Sequence, residues 1–327
     1  MIKIGIPKEI KANEKRVSLI PEEVNKLINE NSNIRVYIET NAGVGANFTD
    51  EDYLKANAII CDTAEEVYSN ATIIIKVKEP QEIEYKFINE THTIFTFFHF
   101  ASNPQLAEAM NKSKAKCIAY ETIQTKEGVY PILAPMSKIA GEQAIIEADK
   151  FINNYYENKN NENKNDKSEQ VVTIIGVGNV GKASAYKAKE LGYKTIHLLD
   201  KDYDKIIGMK KEGFEVHEMR ILTLIDLMKV STIIVGGVYK NGEKASRMVI
   251  NDMLKLMPEP SIFMDVAIDQ GGMTEQSTPT TIDNPIIKYN KTNIYCVPNI
   301  PSNVPREASE KLSKAIYPYL IEEIKKE

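Results

Sequence analysis

Cysteine is scarce in this 327-residue chain: Cys61, Cys117 and Cys296 are odd in number and far apart. They form neither a C-x-x-C pair nor a Cys/His ligand spacing. No disulfide framework and no metal site is indicated, and reducing cytosol is the default compartment. Positive charge is also short. Lys and Arg total 41 against 46 Asp and Glu, a net charge of −5, which argues against a nucleic-acid partner. No stretch of about 18 uncharged apolar residues occurs, so no membrane span is expected. The opening MIKIGIP reads as a strand, without the basic leader and apolar core of a signal peptide. No internal repeat reaches solenoid length, which excludes a stacked-repeat architecture.

What is present is enough apolar material, 43% of residues, for real cores. At roughly 150 residues per domain the length suggests two. Strand-like runs are IKIGI (2–6), IRVYIE (34–39), TIIIKV (72–77), TIFTFF (93–98) and KCIAY (116–120). Helical patterns separate them at 21–29, 51–58, 64–69 and 103–111. Another follows at about 137–152. Such alternation predicts parallel strands with helices on both faces. The strands are nearly continuous in Val, Ile and Phe, as strands buried on both faces should be. NNYYENKNNENKNDKSEQ (153–170) has no aliphatic residue and reads as a flexible surface loop. A second set then begins with VVTIIG (171–176), a helix at 180–192 and KTIHLL (194–199). It continues with STIIVGG (231–237), SIFMDVAI (261–268) and NIYCVP (293–298). The tail 304–324 is amphipathic, and Pro318 should bend it. The fold class expected is α/β, two Rossmann-like doubly wound parallel sheets with the active site in the cleft between them.

Gly176, Gly178 and Gly181 stand in the spacing G-x-G-x-x-G, within IIGVGNVGKASA. A lone match is weak, but here a strand precedes it and a helix follows. Asp200 closes the next strand about 20 residues on. Gly176 permits the tight turn, Gly178 lets the backbone approach a pyrophosphate, and Gly181 lets the helix pack on the sheet. The helix start at Asn179 and Val180 offers N–H groups to phosphate. Asp200 would accept from a ribose 2′-hydroxyl and repel a 2′-phosphate, so NAD is expected rather than NADP. Lys205 is a further candidate for the cofactor.

In open parallel sheets, ligands bind beyond the carboxyl ends of the strands. Arg16 lies in the segment after the first strand. Lys78 follows TIIIKV, His99 follows TIFTFF, Asp269 follows SIFMDVAI and Asn299 follows NIYCVP. Arg16 and Lys78 suit a carboxylate, one by a bidentate fork and one as a point charge. His99 exchanges a proton near neutrality. Asp269 suits orienting a water or carrying charge, and Asn299 donates and accepts. Taken singly, Arg16 and Lys78 also read as surface cations, His99 as a satisfied core histidine and Asp269 as the start of a turn. Lys76 and Lys78 flank Val77, so one of the two is expected to face solvent. Asp265, inside its strand, reads as structural. His92, His197 and His217 read as structural or surface residues.

The opening GIPKEIKANEKRVSLIPEEVNKL resembles the N-terminal signature of the alanine dehydrogenase and nicotinamide nucleotide transhydrogenase family. KVKEP (76–80), FTFFHFAS (95–102), YETIQ (120–124), PILAPMS (131–137) and MDVAIDQGG (264–272) continue the likeness in family order. So do the glycine fingerprint, 277–285 and CVPNIPSNVP (296–305). The resemblance implies NAD-dependent oxidative deamination of L-alanine to pyruvate and ammonia, and the reverse amination. It implies His99 and Asp269 as the catalytic pair. Arg16, Lys78 and Asn299 would hold the substrate. Ser137, the glycine loop and Asp200 would line the cofactor. It also implies a substrate domain of 1–130 completed by 304–327, a nucleotide domain of 131–303, and a cytoplasmic homo-oligomer, commonly a hexamer. Some positions depart from the family pattern: Glu142 where Arg is usual, Thr278 where a basic residue is, and Ile300 where Met often is. Other readings are an NAD-linked enzyme of the same fold acting on another amino acid, or one joining an amino acid to a keto acid. A transhydrogenase nucleotide-binding component and a non-catalytic nucleotide sensor are the remaining two.

Overall fold

In the computed structural model the described residues are 1–159, 166–238 and 245–326, the side chains of Ser102 and Lys205 excepted. The chain forms two compact units, 1–136 with 301–327, and 137–300.

The first unit runs β1 (Ile2–Ile6), α1 (Pro21–Glu30), β2 (Ile34–Glu39), α2 (Asp50–Lys55), β3 (Ile59–Cys61), α3 (Ala64–Asn70) and β4 (Ile73–Lys78). It continues through β5 (Thr93–Phe97), α4 (Pro104–Ser113) and β6 (Lys116–Ala119) to the start of α5 (Leu133–Asn158). Its sheet is ordered β3-β2-β1-β4-β5-β6 and is parallel throughout. Strand order reverses between β1 and β4, the crevice position of a doubly wound sheet. Every residue of β4 and β5 is buried, Lys76 and Lys78 included, so the Lys-Val-Lys alternation at the end of β4 does not mark a solvent face. A last helix, Pro305–Ile324, belongs to this unit. Ser309 and Ser313 accept the backbone N–H groups of Val17 and Ile20 at 3.0 and 3.1 Å. Leu312, Ile316 and Leu320 are fully buried, and the helix runs unbroken through Pro318.

The second unit holds the body of α5, then β7 (Val171–Ile175), α6 (Asn179–Glu190), β8 (Thr195–Asp200), α7 (Tyr203–Ile206), β9 (Glu215–Glu218) and α8 (Ile221–Met228). β10 (Ile233–Gly236), α9 (Asn251–Leu254), β11 (Ser261–Asp265), β12 (Ile286–Tyr289) and β13 (Thr292–Tyr295) complete it. The final helix of the chain is α10. The sheet order is β12-β13-β11-β10-β7-β8-β9, with β12 antiparallel at one edge. Two apolar clusters cover its faces. One is built on Ile174, Leu198, Ile233 and α5, the other on Ile175, Leu199, Ile234 and α8.

The two doubly wound α/β sheets expected from the sequence are both present. α5 overruns its expected end. It continues to Asn158 because Ile152 is fully buried and Tyr156 still packs against the core. The polar run 153–170 therefore starts inside a helix, and its residues 160–165 lie outside the described residues.

Candidate active site

In the first unit, Arg16 follows β1 on a segment pinned to the sheet by Ser18, whose hydroxyl donates to the Ile75 carbonyl at 2.8 Å. Arg16 is 3% exposed. Its guanidinium donates from Nε and Nη2 to the two oxygens of Glu14 at 2.7 and 2.5 Å, and from Nη1 to the Met136 sulfur at 3.3 Å. Glu14 also accepts the Arg16 backbone N–H at 2.9 Å, and it is itself buried. A guanidinium held this way is oriented before any ligand arrives.

Lys78 is the last residue of β4 rather than the first beyond it, and it is buried. Its partner in the β4–β5 register is Phe97. The Phe97 ring stacks on His99, centroids 5.9 Å apart and 8° between planes. His99 sits two residues beyond β5 in left-handed backbone, φ 50°, a conformation uncommon for a residue with a side chain. Glu121, buried after β6, holds it there. It accepts the His99 backbone N–H at 2.7 Å and that of Phe98 at 3.3 Å. Phe95, Phe97 and Phe98 bury the strand end, while the imidazole itself is half-buried. Lys78 thus ends β4 and His99 follows the end of its neighbour β5, while Arg16 lies on the segment ten residues beyond the end of β1, the strand on the other side of β4.

The expectation that Lys76 or Lys78 faces solvent is not met, since both are buried. Lys76 lies 2.9 Å from Glu84 and 3.4 Å from Glu9. Burial pushes the Glu9 carboxyl up to about 7, the nearby Lys76 charge opposing it. Glu14, Glu121 and this ion network are not visible as such in the sequence. Glu14 stands two residues before Arg16, but only packing shows that the pair is buried.

In the second unit the glycine loop connects β7 to α6. Gly176 has φ 85°, and a Cβ on Gly181 would lie 2.0 Å from the Gly176 carbonyl oxygen. Gly178 is the N-cap of α6 without a side-chain cap, and a Cβ there would meet nothing within 4 Å. Asn179 is exposed and Val180 half-buried at the helix start. That opening beside uncapped helix N–H groups fits a phosphate-bearing cofactor. Asp200 ends β8. Its carboxylate accepts the Val177 N–H at 2.7 Å and the Asp202 N–H at 3.0 Å, so the expected ribose acceptor also clamps the loop. A carboxylate has about four acceptor positions, so capacity for a ribose hydroxyl remains. Ser137 is half-buried in α5, one turn before Gly141, where α5 meets α6 closely. Lys205 falls in α7, its side chain outside the description.

β11 ends at Asp265, so Asp269 is not directly at a strand end. It lies in a 3-10 turn over Ile268–Gln270 and is exposed. Its carboxylate accepts the backbone N–H of Asn299 at 3.2 Å, which brings the two expected site residues together. Asn299, like His99, is left-handed, with φ 57°. Asp265 is structural as expected: it is buried and accepts from the Met273 N–H at 2.7 Å and from the Ser277 hydroxyl. His92 is likewise structural, buried with its Nε2 3.0 Å from the Tyr68 carbonyl.

Two family models match the chain. One is described as alanine dehydrogenase/PNT, N-terminal domain, over residues 5–140, and the other as the C-terminal domain, over 166–327. An alanine dehydrogenase of Methanococcus maripaludis is 37% identical, the match covering 98% of this chain and 86% of the relative. One from Staphylococcus epidermidis is 36% identical, over 97% and 86%. Among solved structures, an L-alanine dehydrogenase superposes with a TM-score of 0.88 at 30% identity, over 98% of this chain and 89% of that one. A transhydrogenase from Sinorhizobium meliloti shares the fold, TM-score 0.82 at 21% identity, over 97% and 93%.

Proposed function

The chain belongs to the alanine dehydrogenase/PNT family, and from that premise we propose that it oxidatively deaminates L-alanine to pyruvate and ammonia and runs the reverse amination. The observation that carries the reading is the alignment of Lys78, Phe97 and His99, a buried cation and a stacked imidazole at neighbouring strand ends. Dehydrogenases of the alanine type, at 34–37% identity over most of the chain, support the same chemistry.

Arg16 and Lys78 bind the substrate carboxylate. The Arg16 fork is aimed by Glu14, and Lys78 adds a point charge. NAD, when bound, supplies the hydride acceptor. The open glycine at 178 and the α6 N-terminus hold its phosphates. Asp200 favours an unmodified ribose, and Ser137, Asn179, Val180, Gly176, Gly181 and Lys205 complete the cofactor set. The alanine ammonium first gives up a proton to solvent; as the Cα–H bond then breaks with its electron pair, the nitrogen lone pair makes an iminium. Water adds to its carbon and ammonia leaves. A proton must come off the water and reach the departing nitrogen. His99 takes and returns it at a ring nitrogen, an imidazole being able to serve as both acid and base. Asp269, tied to Asn299, is the second member of the catalytic pair and orients water, while the Asn299 amide contacts substrate. We further propose a cytoplasmic homo-oligomer, of hexameric order.

The test is an amino-acid panel with NAD and NADP, following reduced-nicotinamide absorbance. Turnover with L-alanine and NAD is expected. Turnover only with another amino acid would replace the substrate and keep the reaction class. No turnover with any amino acid would overturn the reading.

A further inference from the structure

Three side chains with no part in that chemistry meet at one edge of the second unit's sheet. His197 of β8 stands opposite Glu215 of β9. His217 follows Glu215 by two residues, so strand alternation puts both on one face. Nδ1 of His197 lies 2.9 Å from Nε2 of His217 and 3.3 Å from Oε2 of Glu215. All three donor atoms fall within 4.8 Å of one another. β9 is the outermost strand on this side. His197 is buried, His217 half-buried and Glu215 exposed, so the cluster has a floor and an open mouth.

We propose that His197, Glu215 and His217 form a site for a divalent transition-metal ion, zinc above all. Two imidazoles and one carboxylate are a donor set that such ions take, with a fourth position left to water. Bonds of about 2.0–2.1 Å at a tetrahedral centre place neighbouring donors roughly 3.3 Å apart. The carboxylate contact already has that spacing. The imidazole pair needs to open by only a few tenths of an ångström. Two bare nitrogen lone pairs 2.9 Å apart repel, so one ring directs an N–H at the other. Metal binding needs both lone pairs. The donating ring therefore moves its proton to its other nitrogen, and no proton is lost overall. The bound ion would clamp the edge strand β9 to β8, whose last residue, Asp200, is registered against Glu218. The scarcity of cysteine hid this site in the sequence. His197 lies 18 and 20 residues before Glu215 and His217, and only the parallel register joins them.

The experiment uses tag-free, full-length protein stripped with chelator. It is titrated with zinc by calorimetry and with cobalt(II) by visible absorption. One saturable equivalent of zinc is expected, with the intense visible band of tetrahedral cobalt and a melting temperature that rises with zinc and falls again with chelator. His197→Gln, His217→Gln and Glu215→Gln should each weaken zinc by at least about tenfold, while His92→Gln leaves it unchanged. Glu215 and His217 reach solvent, so their variants keep the fold, checked by circular dichroism, even should His197→Gln not. Absence of saturable uptake, or uptake that survives both His217→Gln and Glu215→Gln, would overturn the site. Neither result bears on alanine turnover.

Discussion

At position 16 a guanidinium is buried with a carboxylate already gripping two of its nitrogens. The pair is neutral as a unit, which is what lets it sit in the protein interior. Removing the acid leaves a buried charge without its partner, a change that typically costs about 3–5 kcal/mol. Glu14→Gln is therefore expected to lower the melting temperature. It should also raise KM for alanine and pyruvate with little change in KM for NAD; an unchanged KM for pyruvate would separate Glu14 from the substrate side. At position 99 the constraint is on the backbone. Left-handed φ at a non-glycine residue costs on the order of 1–3 kcal/mol, and such strain gathers where function needs it. His99→Gly removes both the ring and the strain. Turnover should fall by about 100-fold or more, while the melting temperature is not lowered. Loss of stability with retained turnover would make His99 a packing residue.

Among the elements, the two glycines of the β7–α6 loop differ in the space around them, which lets the proposed binding role be tested apart from the fold. A methyl group at 181 would strike a backbone carbonyl, whereas one at 178 would enter open space. Gly181→Ala should destabilise the second unit. Gly178→Ala should leave its melting transition in place and weaken NAD, read by nucleotide fluorescence titration. Equal effects of the two substitutions would contradict this division. The same elements show what the sequence could convey. Buried parallel strands announce themselves by apolar cores such as Ile73–Ile75 and Ile94–Phe95, and the strand-end rule places Lys78 and His99 within two residues, whereas the burial of Lys76 is not legible. β9, EVHE, is a polar edge strand of four residues and gives no such signal. β3 has three residues and β12 four, and α7 to α9 have at most eight. VAI continues the apolar run and so puts Asp269 directly beyond a strand, whereas the chain leaves the sheet at Asp265. Glu121 was readable as part of a motif, but its grip on the His99 backbone depends on β6 lying beside β5.

For the whole molecule, one route by which pH acts on stability is the buried acid at 9. Its carboxyl titrates at about 7 in the folded chain against an ordinary 4.5. Between those values the folded state holds a proton that the unfolded state has released. Stability from this group is full below about pH 4.5 and is lost as pH rises through 7. Glu9→Gln should flatten that part of the stability-against-pH curve, measured by thermal unfolding from pH 4.5 to 8. A slope identical to that of the unaltered protein would assign the dependence elsewhere.

Since α10 supplies Leu312, Ile316 and Leu320 to the core of the first unit, that unit contains residues translated after the whole of the second. Nascent chains fold domain by domain as they leave the ribosome. Here the half that emerges first must wait with its helix site unfilled, while the nucleotide half is made and completes itself. The N-terminal sheet is thus the last part of the protein to mature, and a chaperone meeting the growing polypeptide would find its exposed apolar surface there.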